Sequence, residues 1–273
     1  MKINELISLL EQTGISPSRK LGQNFLIDEN LLNFIAKTAD IKKNENIIEI
    51  GPGLGSLTER ILESEAILTA IEFDNKLFVY LKSKYGSRKN ITLLNEDACR
   101  TDYSRLIGNT PEYRIISNLP YSISTPLLAK FADLENPPAG VLLLLQKEAA
   151  MRFIAKPNSK DYGSISVRLQ LIYNGEIVRT VPPNVFFPKP EVQSAILKLT
   201  RKTLYPEISV RKKVDAIVKT AFLKRRKKLI NTITPLFGKE TIERAFFEIK
   251  LNSNARPEDL TYKQYLSLSS YLT

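Results

Sequence analysis

Asn46-Ile-Ile-Glu-Ile-Gly-Pro-Gly-Leu-Gly-Ser-Leu-Thr-Glu-Arg-Ile-Leu62 changes its period half-way. The first five residues are a short apolar run of strand length. From Ser56 the apolar residues return at helical spacing. Between the two halves lie Gly51, Gly53 and Gly55, in a turn where backbone without Cβ atoms can approach a ligand closely. A strand, a glycine turn and a helix in this order open an α/β unit.

The pattern continues outward from that unit. Glu5–Gln12 reads as a short helix, and Asp28 is placed to cap a second one running to about Ala39. Ile67–Glu72, Ile91–Asn95, Tyr113–Ser117 and Val141–Leu145 read as further strands, with a helix over Asn75–Tyr85. Strands alternating with helices over 150 residues predict an α/β fold with a mainly parallel sheet. Ligands of such sheets bind beyond the carboxyl ends of the strands. Gly51, Glu72, Asp97 and Asn118 all fall at or just past predicted strand ends, and that coincidence outweighs any single motif.

The glycine turn discriminates among cofactors. A dinucleotide fingerprint starting from Gly51 would need glycine where Ser56 stands, and from Gly53 where Thr58 stands. A P-loop would need a Gly-Lys-Ser/Thr ending, which is missing. Glu72, 21 residues past Gly51, is placed to accept hydrogen bonds from the two ribose hydroxyls of a nucleoside. Asp97 is placed to accept from an adenine amino group. A nucleoside cofactor without pyrophosphate meets these requirements, and S-adenosylmethionine is the candidate.

Composition narrows the chemistry further. The 273 residues contain no His and one Cys, Cys99, so mechanisms built on histidine are excluded, as are internal disulfides and cysteine zinc clusters. No metal site is expected. The longest apolar run, Ala139–Leu145, is too short to span a bilayer, and the N-terminus lacks a signal-peptide core. These features lead us to expect a cytoplasmic monomer with no membrane partner. Net charge is +11, and residues 198–273 hold 17 Lys+Arg against 7 Asp+Glu. Such asymmetry points to a polyanionic partner. Beyond the strand Ser194–Leu199, helical patterns place Val214, Ile217, Val218, Ala221 and Phe222 on one face, and recur over Glu240–Phe247 and Thr261–Leu272. The expected division is a cofactor-binding domain over 1–203 and a basic helical domain over 204–273.

Asn118-Leu-Pro-Tyr121 supplies what methyl transfer to an exocyclic adenine nitrogen requires. That nitrogen is a poor nucleophile because its lone pair is delocalised into the ring. The Asn118 side-chain oxygen and the Leu119 or Pro120 carbonyl can each accept one N6–H and aim the nitrogen at the methyl group. Proline brings no competing N–H, and Tyr121 can stack on the base, worth roughly 1–3 kcal/mol. A duplex base must first be extruded, and Phe186 or Phe187 is expected to form a second aromatic wall.

Five segments then carry a family resemblance over nearly the whole chain. They are Lys20-Leu-Gly-Gln-Asn-Phe-Leu26, Glu49-Ile-Gly-Pro-Gly-Leu-Gly55, Asn118-Leu-Pro-Tyr121, Phe186-Phe-Pro-Lys-Pro-Glu-Val192 and Ala221-Phe-Leu-Lys-Arg-Arg-Lys-Lys-Leu-Ile-Asn231. In this order they resemble the ribosomal RNA adenine N6-dimethyltransferases, most closely the bacterial small-subunit branch. The resemblance implies a Rossmann-like S-adenosylmethionine-dependent methyltransferase fold with a small C-terminal helical domain. It implies a cofactor site of Asn24, Leu26, Gly51, Glu72, Asp97 and Asn118, and a target adenine between Asn118, Tyr121 and Phe186. It further implies two methyl groups on each of two adjacent adenosines, in a hairpin loop near the 3′ end of 16S rRNA within the immature 30S subunit. Arg211, Lys212, Lys213, Lys219, Lys224, Arg225, Arg226, Lys227 and Lys228 would then contact phosphates. Two departures from the family pattern are Cys99 after the Asp-Ala pair and the acidic Glu191.

Overall fold

The computed structural model describes residues 3–18, 21–108 and 112–272; Lys20 of the first family segment lies outside them. The helices are α1 (Ile3–Thr13), α2 (Glu29–Ala39), α3 (Ser56–Glu63), α4 (Asn75–Tyr85), α5 (Tyr103–Ile107), α6 (Ser124–Asp133), α7 (Lys147–Phe153), α8 (Ser164–Ile172), α9 (Ile208–Leu223), α10 (Leu229–Phe237), α11 (Lys239–Glu248) and α12 (Tyr262–Tyr271). The strands are β1 (Phe25–Leu26), β2 (Asn46–Ile50), β3 (Ile67–Ile71), β4 (Ile91–Leu94), β5 (Arg114–Asn118), β6 (Gly140–Gln146), β7 (Tyr173–Val181), β8 (Phe186–Phe187) and β9 (Ser194–Arg201).

Seven strands form one sheet in the order β4-β3-β2-β5-β6-β9-β7. β4, β3, β2, β5 and β6 run parallel, and β9 joins β6 antiparallel. The predicted α/β class is thus observed. From β2 the chain winds outward through β3 and β4, then returns to β5 on the other side of β2. The winding direction therefore reverses between β2 and β5, where α/β sheets open a crevice for ligands. The β2–β5 ladder pairs only Ile47 with Arg114 and Ile48 with Ile115. Beyond that point the Ser117 hydroxyl bridges to the Ile50 backbone, accepting from its amide at 3.2 Å and donating to its carbonyl.

Local chemistry sets the element ends. The Asp28 carboxylate accepts from the Leu31 amide at 2.7 Å and caps α2, as its position in the sequence predicts. Asp74 caps α4 through the amides of Lys76 and Leu77. The strands that sequence reading identified are observed within a residue or two, because each is a near-continuous apolar run, and β2, β5 and β6 in the middle of the sheet are largely buried. β7 went unpredicted: Tyr-Asn-Gly-Glu-Ile-Val-Arg-Thr-Val is polar and exposed along much of its length. The two-residue pair β1–β8 is too short to leave any periodicity, and matches Phe25 with Phe187 and Leu26 with Phe186.

The chain forms two compact units. One comprises Met1–Leu127, Pro138–Ala150 and Glu176–Thr200. The other comprises Leu128–Pro137, Met151–Gly175 and Arg201–Thr273. This corrects the contiguous cut expected at 203/204. Met151–Gly175 belongs with the C-terminal helices because α8 is buried nearly all round and packs on α9 and α12, and Leu128–Pro137 because Arg211 of α9 donates to the carbonyls of Ala132, Leu134 and Glu135. Within this second unit the Tyr162 hydroxyl donates to the Leu260 carbonyl at 2.8 Å, and its ring meets Phe222 edge-on at 6.0 Å.

Candidate active site

The first unit carries a cavity at the carboxyl edge of β2, β3 and β5. It is lined by Leu21–Leu26, the glycine turn, Glu72 and Phe73, Glu96–Ala98 and Asn118–Ile123. Nine of the predicted cofactor or catalytic positions therefore meet here by fold alone: Asn24, Leu26, Gly51, Glu72, Asp97, Asn118, Leu119, Pro120 and Tyr121.

The glycine turn is a left-handed path, with φ of +65° at Gly51 and +61° at Gly53. A Cβ on Gly51 would stand 3.1 Å from the Pro120 ring, and one on Gly53 3.2 Å from the Phe25 ring. The turn is thus packed directly against the Asn-Leu-Pro-Tyr segment. It is also pinned from beneath. The buried Tyr85 of α4 places its hydroxyl 3.0 Å from both the Gly55 carbonyl and the Glu59 carboxylate. The Gly53 amide donates to Glu72 Oε2 at 3.1 Å, and the Asp74 amide to Glu72 Oε1 at 2.8 Å. Burial pushes the Glu72 carboxyl above its usual range, while these two amides act to lower it. Each Glu72 oxygen keeps a second lone pair for a ribose hydroxyl.

Asp97 accepts from the Cys99 amide through Oδ1 at 2.8 Å, and its half-exposed Oδ2 stands 3.6 Å from Arg100 Nε. Phe73, 59% exposed, lines the same cavity directly after Glu72. Sequence reading passed over it, although an aromatic next to a strand-end carboxylate was the available signal. Glu49 was also missed as a titrating group. It is 1% exposed, accepts from the Thr58 hydroxyl at 2.6 Å, and burial raises its pKa to about 8.

Asn118 has a defined amide orientation. Its Nδ2 donates to the Asn24 carbonyl at 3.0 Å, which directs Oδ1 the other way as an acceptor. The Leu119 amide donates to Leu144 at 2.9 Å, and the Pro120 carbonyl accepts from Ile123 at 3.2 Å. The Pro120 carbonyl already carries one hydrogen bond, so of the two carbonyls open in the sequence Leu119 is the less engaged. Tyr121 lines the cavity, with its hydroxyl 2.6 Å from Ser194 Oγ.

Phe186 is 3% exposed, belongs to the core cluster with Leu26, and is not among the cavity-lining residues; neither is Phe187. Pairing of β8 with β1 turns Phe186 inward.

The basic series of the second unit divides in two. Arg211 is 4% exposed, and its guanidinium donates to the carbonyls of Pro206, Ala132, Leu134 and Glu135 at 2.6–3.3 Å. It spends four of its five N–H donors on clamping this backbone, and burial keeps it from phosphate. Arg225, partly buried, is engaged with the Glu258 carboxylate and the carbonyls of Lys160 and Ser159. Lys212, Lys213, Lys224, Arg226, Lys227 and Lys228 are exposed. Lys219 is exposed too, and pairs with Asp215 at 2.6 Å.

Comparison with known proteins agrees with this geometry. A family model described as "Ribosomal RNA adenine dimethylase" matches residues 16–273. "Ribosomal RNA small subunit methyltransferase A" of Alkaliphilus metalliredigens is 38% identical, over 96% of this chain and 94% of the relative. Its namesake in Streptococcus gordonii is 37% identical, over 97% and 95%. In fold the chain is similar to a dimethyladenosine transferase from Plasmodium falciparum, with a TM-score of 0.71 at 23% identity over 89% of this chain and 95% of that one. The chain belongs to the ribosomal RNA adenine dimethylase family.

Proposed function

We propose that this protein uses S-adenosylmethionine to place two methyl groups on N6 of each of two adjacent adenosines, in the hairpin loop near the 3′ end of 16S rRNA. The observation that carries this reading is the orientation of Asn118. The Asn24 carbonyl occupies its amide nitrogen, so Oδ1 is offered to an N6–H. S-adenosylmethionine, when bound, supplies an electrophilic methyl group on a sulfonium. The chain's residues do the rest. Glu72 takes the ribose hydroxyls, Asp97 the cofactor's adenine amino group and Phe73 its ring face. The glycine turn lets backbone approach without Cβ interference.

For the target base, Asn118 Oδ1 and the Leu119 carbonyl accept the two N6–H bonds and hold the nitrogen in line. Both acceptors gain strength as positive charge develops on that nitrogen. Tyr121 stacks on the ring. We assign the second unit to RNA binding through Lys212, Lys213, Lys219, Lys224, Arg226, Lys227 and Lys228, whose exposed charges suit phosphates. We further assign the working context to the assembling 30S particle in the cytoplasm, with the protein acting as a monomer. Among the described residues no helix is long and apolar enough to cross a membrane.

The test supplies unmethylated 30S particles, 50S particles and free 16S rRNA with protein and radiolabelled cofactor. The reading expects label in the 30S particle; label confined to 50S would overturn it.

A further inference from the structure

β9 opens with Ser194, a residue with no solvent exposure, opposite Gln146 at the carboxyl end of β6. Its Oγ lies 2.6 Å from the Tyr121 hydroxyl. Tyr121 lines the cavity and Ser194 does not. The sheet order β5-β6-β9 puts Ser194 two strands away from Asn118 at the same edge, about 10 Å across. The tyrosine starts in the turn after β5, reaches over the end of β6, and is fastened at its far end to β9.

That fastening has consequences for the ring. Tyr121 lines the cavity and is only partly buried, so packing does not enclose it on every side, and the second torsion of a tyrosine is intrinsically broad. A hydrogen bond at the para position removes this freedom. The bond is also hard to replace, because a fully buried serine hydroxyl has no water to turn to. The preceding residue is held as well: the Gln193 carbonyl accepts from the Lys147 amide at 3.0 Å, and its side chain accepts from Lys147 Nζ at 2.9 Å. The anchor is therefore the rigid partner and the ring the guided one.

We infer that Ser194 is a positioning residue for the target base: by holding the Tyr121 hydroxyl it fixes the plane on which the adenine stacks. This rests on the reading of Tyr121 as the stacking face.

The effect falls unequally on the two transfers to one nitrogen. In the first, N6 offers two N–H bonds, to Asn118 Oδ1 and the Leu119 carbonyl. After it, only one N–H remains, and the stacking plane carries more of the orientation. Loss of the Ser194 anchor slows the second transfer more than the first, so N6-monomethyladenosine accumulates.

The experiment compares wild type, Ser194→Ala, Tyr121→Phe, the double variant and Tyr121→Ala. It measures first- and second-transfer rates under single turnover, cofactor affinity by calorimetry, and nucleoside products by mass spectrometry. Expected are unchanged cofactor affinity and a several-fold rise in the monomethyl-to-dimethyl ratio for each of the two conservative variants. The double variant should be no worse than either single one, since both remove the same bond. Wild-type product ratios in Ser194→Ala and Tyr121→Phe, or additive losses in the double variant, would overturn the role of Ser194. Full activity in Tyr121→Ala would instead overturn the stacking role of Tyr121. Tyr121→Phe leaves the serine in place, so the test stands even if Ser194→Ala folds poorly.

Discussion

Replacing Asn118 by alanine removes two interactions that the structure separates in space. The first is the 3.0 Å bond from Nδ2 to the Asn24 carbonyl, which ties the Leu21–Leu26 segment to the end of β5. A bond of this kind contributes about 0.5–1.5 kcal/mol net. Cofactor affinity should fall by no more than about tenfold on that account. The second is the Oδ1 acceptor for an N6–H. It meets a neutral amine in the ground state and a nitrogen gaining positive charge in the transition state. Removing one such preorganised partner typically lowers kcat by about 10²–10³. Asn118→Asp distinguishes the two roles. A carboxylate is a strong acceptor for the developing cation, but it cannot donate to the Asn24 carbonyl and would repel it. The aspartate variant should therefore bind cofactor less well than the alanine variant while retaining more of the transfer rate. Single-turnover methyl transfer at saturating cofactor, with calorimetric cofactor affinity alongside, reads both effects. A transfer rate within about threefold of wild type in Asn118→Ala would refute the reasoning, since it would leave less than ~1 kcal/mol for the acceptor.

Tyr85→Phe keeps the buried ring but releases the Gly55 carbonyl; a loss of about 1 kcal/mol should weaken cofactor binding roughly fivefold by calorimetry, with kcat at saturation unchanged. Glu49 holds its proton more tightly folded than unfolded, because burial lifts its pKa to about 8. Its contribution to stability therefore declines as pH rises from about 4.5 to 8 and is level above that, so Glu49→Gln should flatten the thermal midpoint against pH over that window. Arg211→Ala strips donors from the carbonyls of Ala132, Leu134, Glu135 and Pro206 and should cost about 2–4 kcal/mol in denaturant unfolding. Lys227→Ala with Lys228→Ala should leave stability alone and lower the salt slope of RNA binding by roughly 0.7–0.9 for each phosphate no longer neutralised.

The contrast between Arg211 and Lys227 marks what the sequence could not disclose. Both lie in a basic stretch, and local pattern treats both as solvated charges. Only the carbonyls of Ala132, Leu134 and Glu135, more than seventy residues earlier, make Arg211 an interior clamp. The discontinuous second unit was hidden for the same reason, since α8 joins the C-terminal helices through tertiary packing alone. The parallel sheet was legible because a strand buried on both faces must be written as consecutive apolar residues. Glu72, Asp97 and Asn118 were legible because strand ends follow from strands. The burial of Phe186 was not legible, because an aromatic in a plausible motif does not reveal which way a two-residue strand turns it. Ser194 left no signal at all: its role exists only once the sheet order brings β9 beside β6.

The most direct measurement is mass spectrometric mapping of 16S rRNA after incubation of unmethylated 30S particles with this protein and S-adenosylmethionine. The account predicts N6,N6-dimethyladenosine at two adjacent positions in the loop near the 3′ end, and no methylation there with Asn118→Ala. Unmodified adenosines at both positions, or methyl groups on a different atom or a different loop, would contradict it.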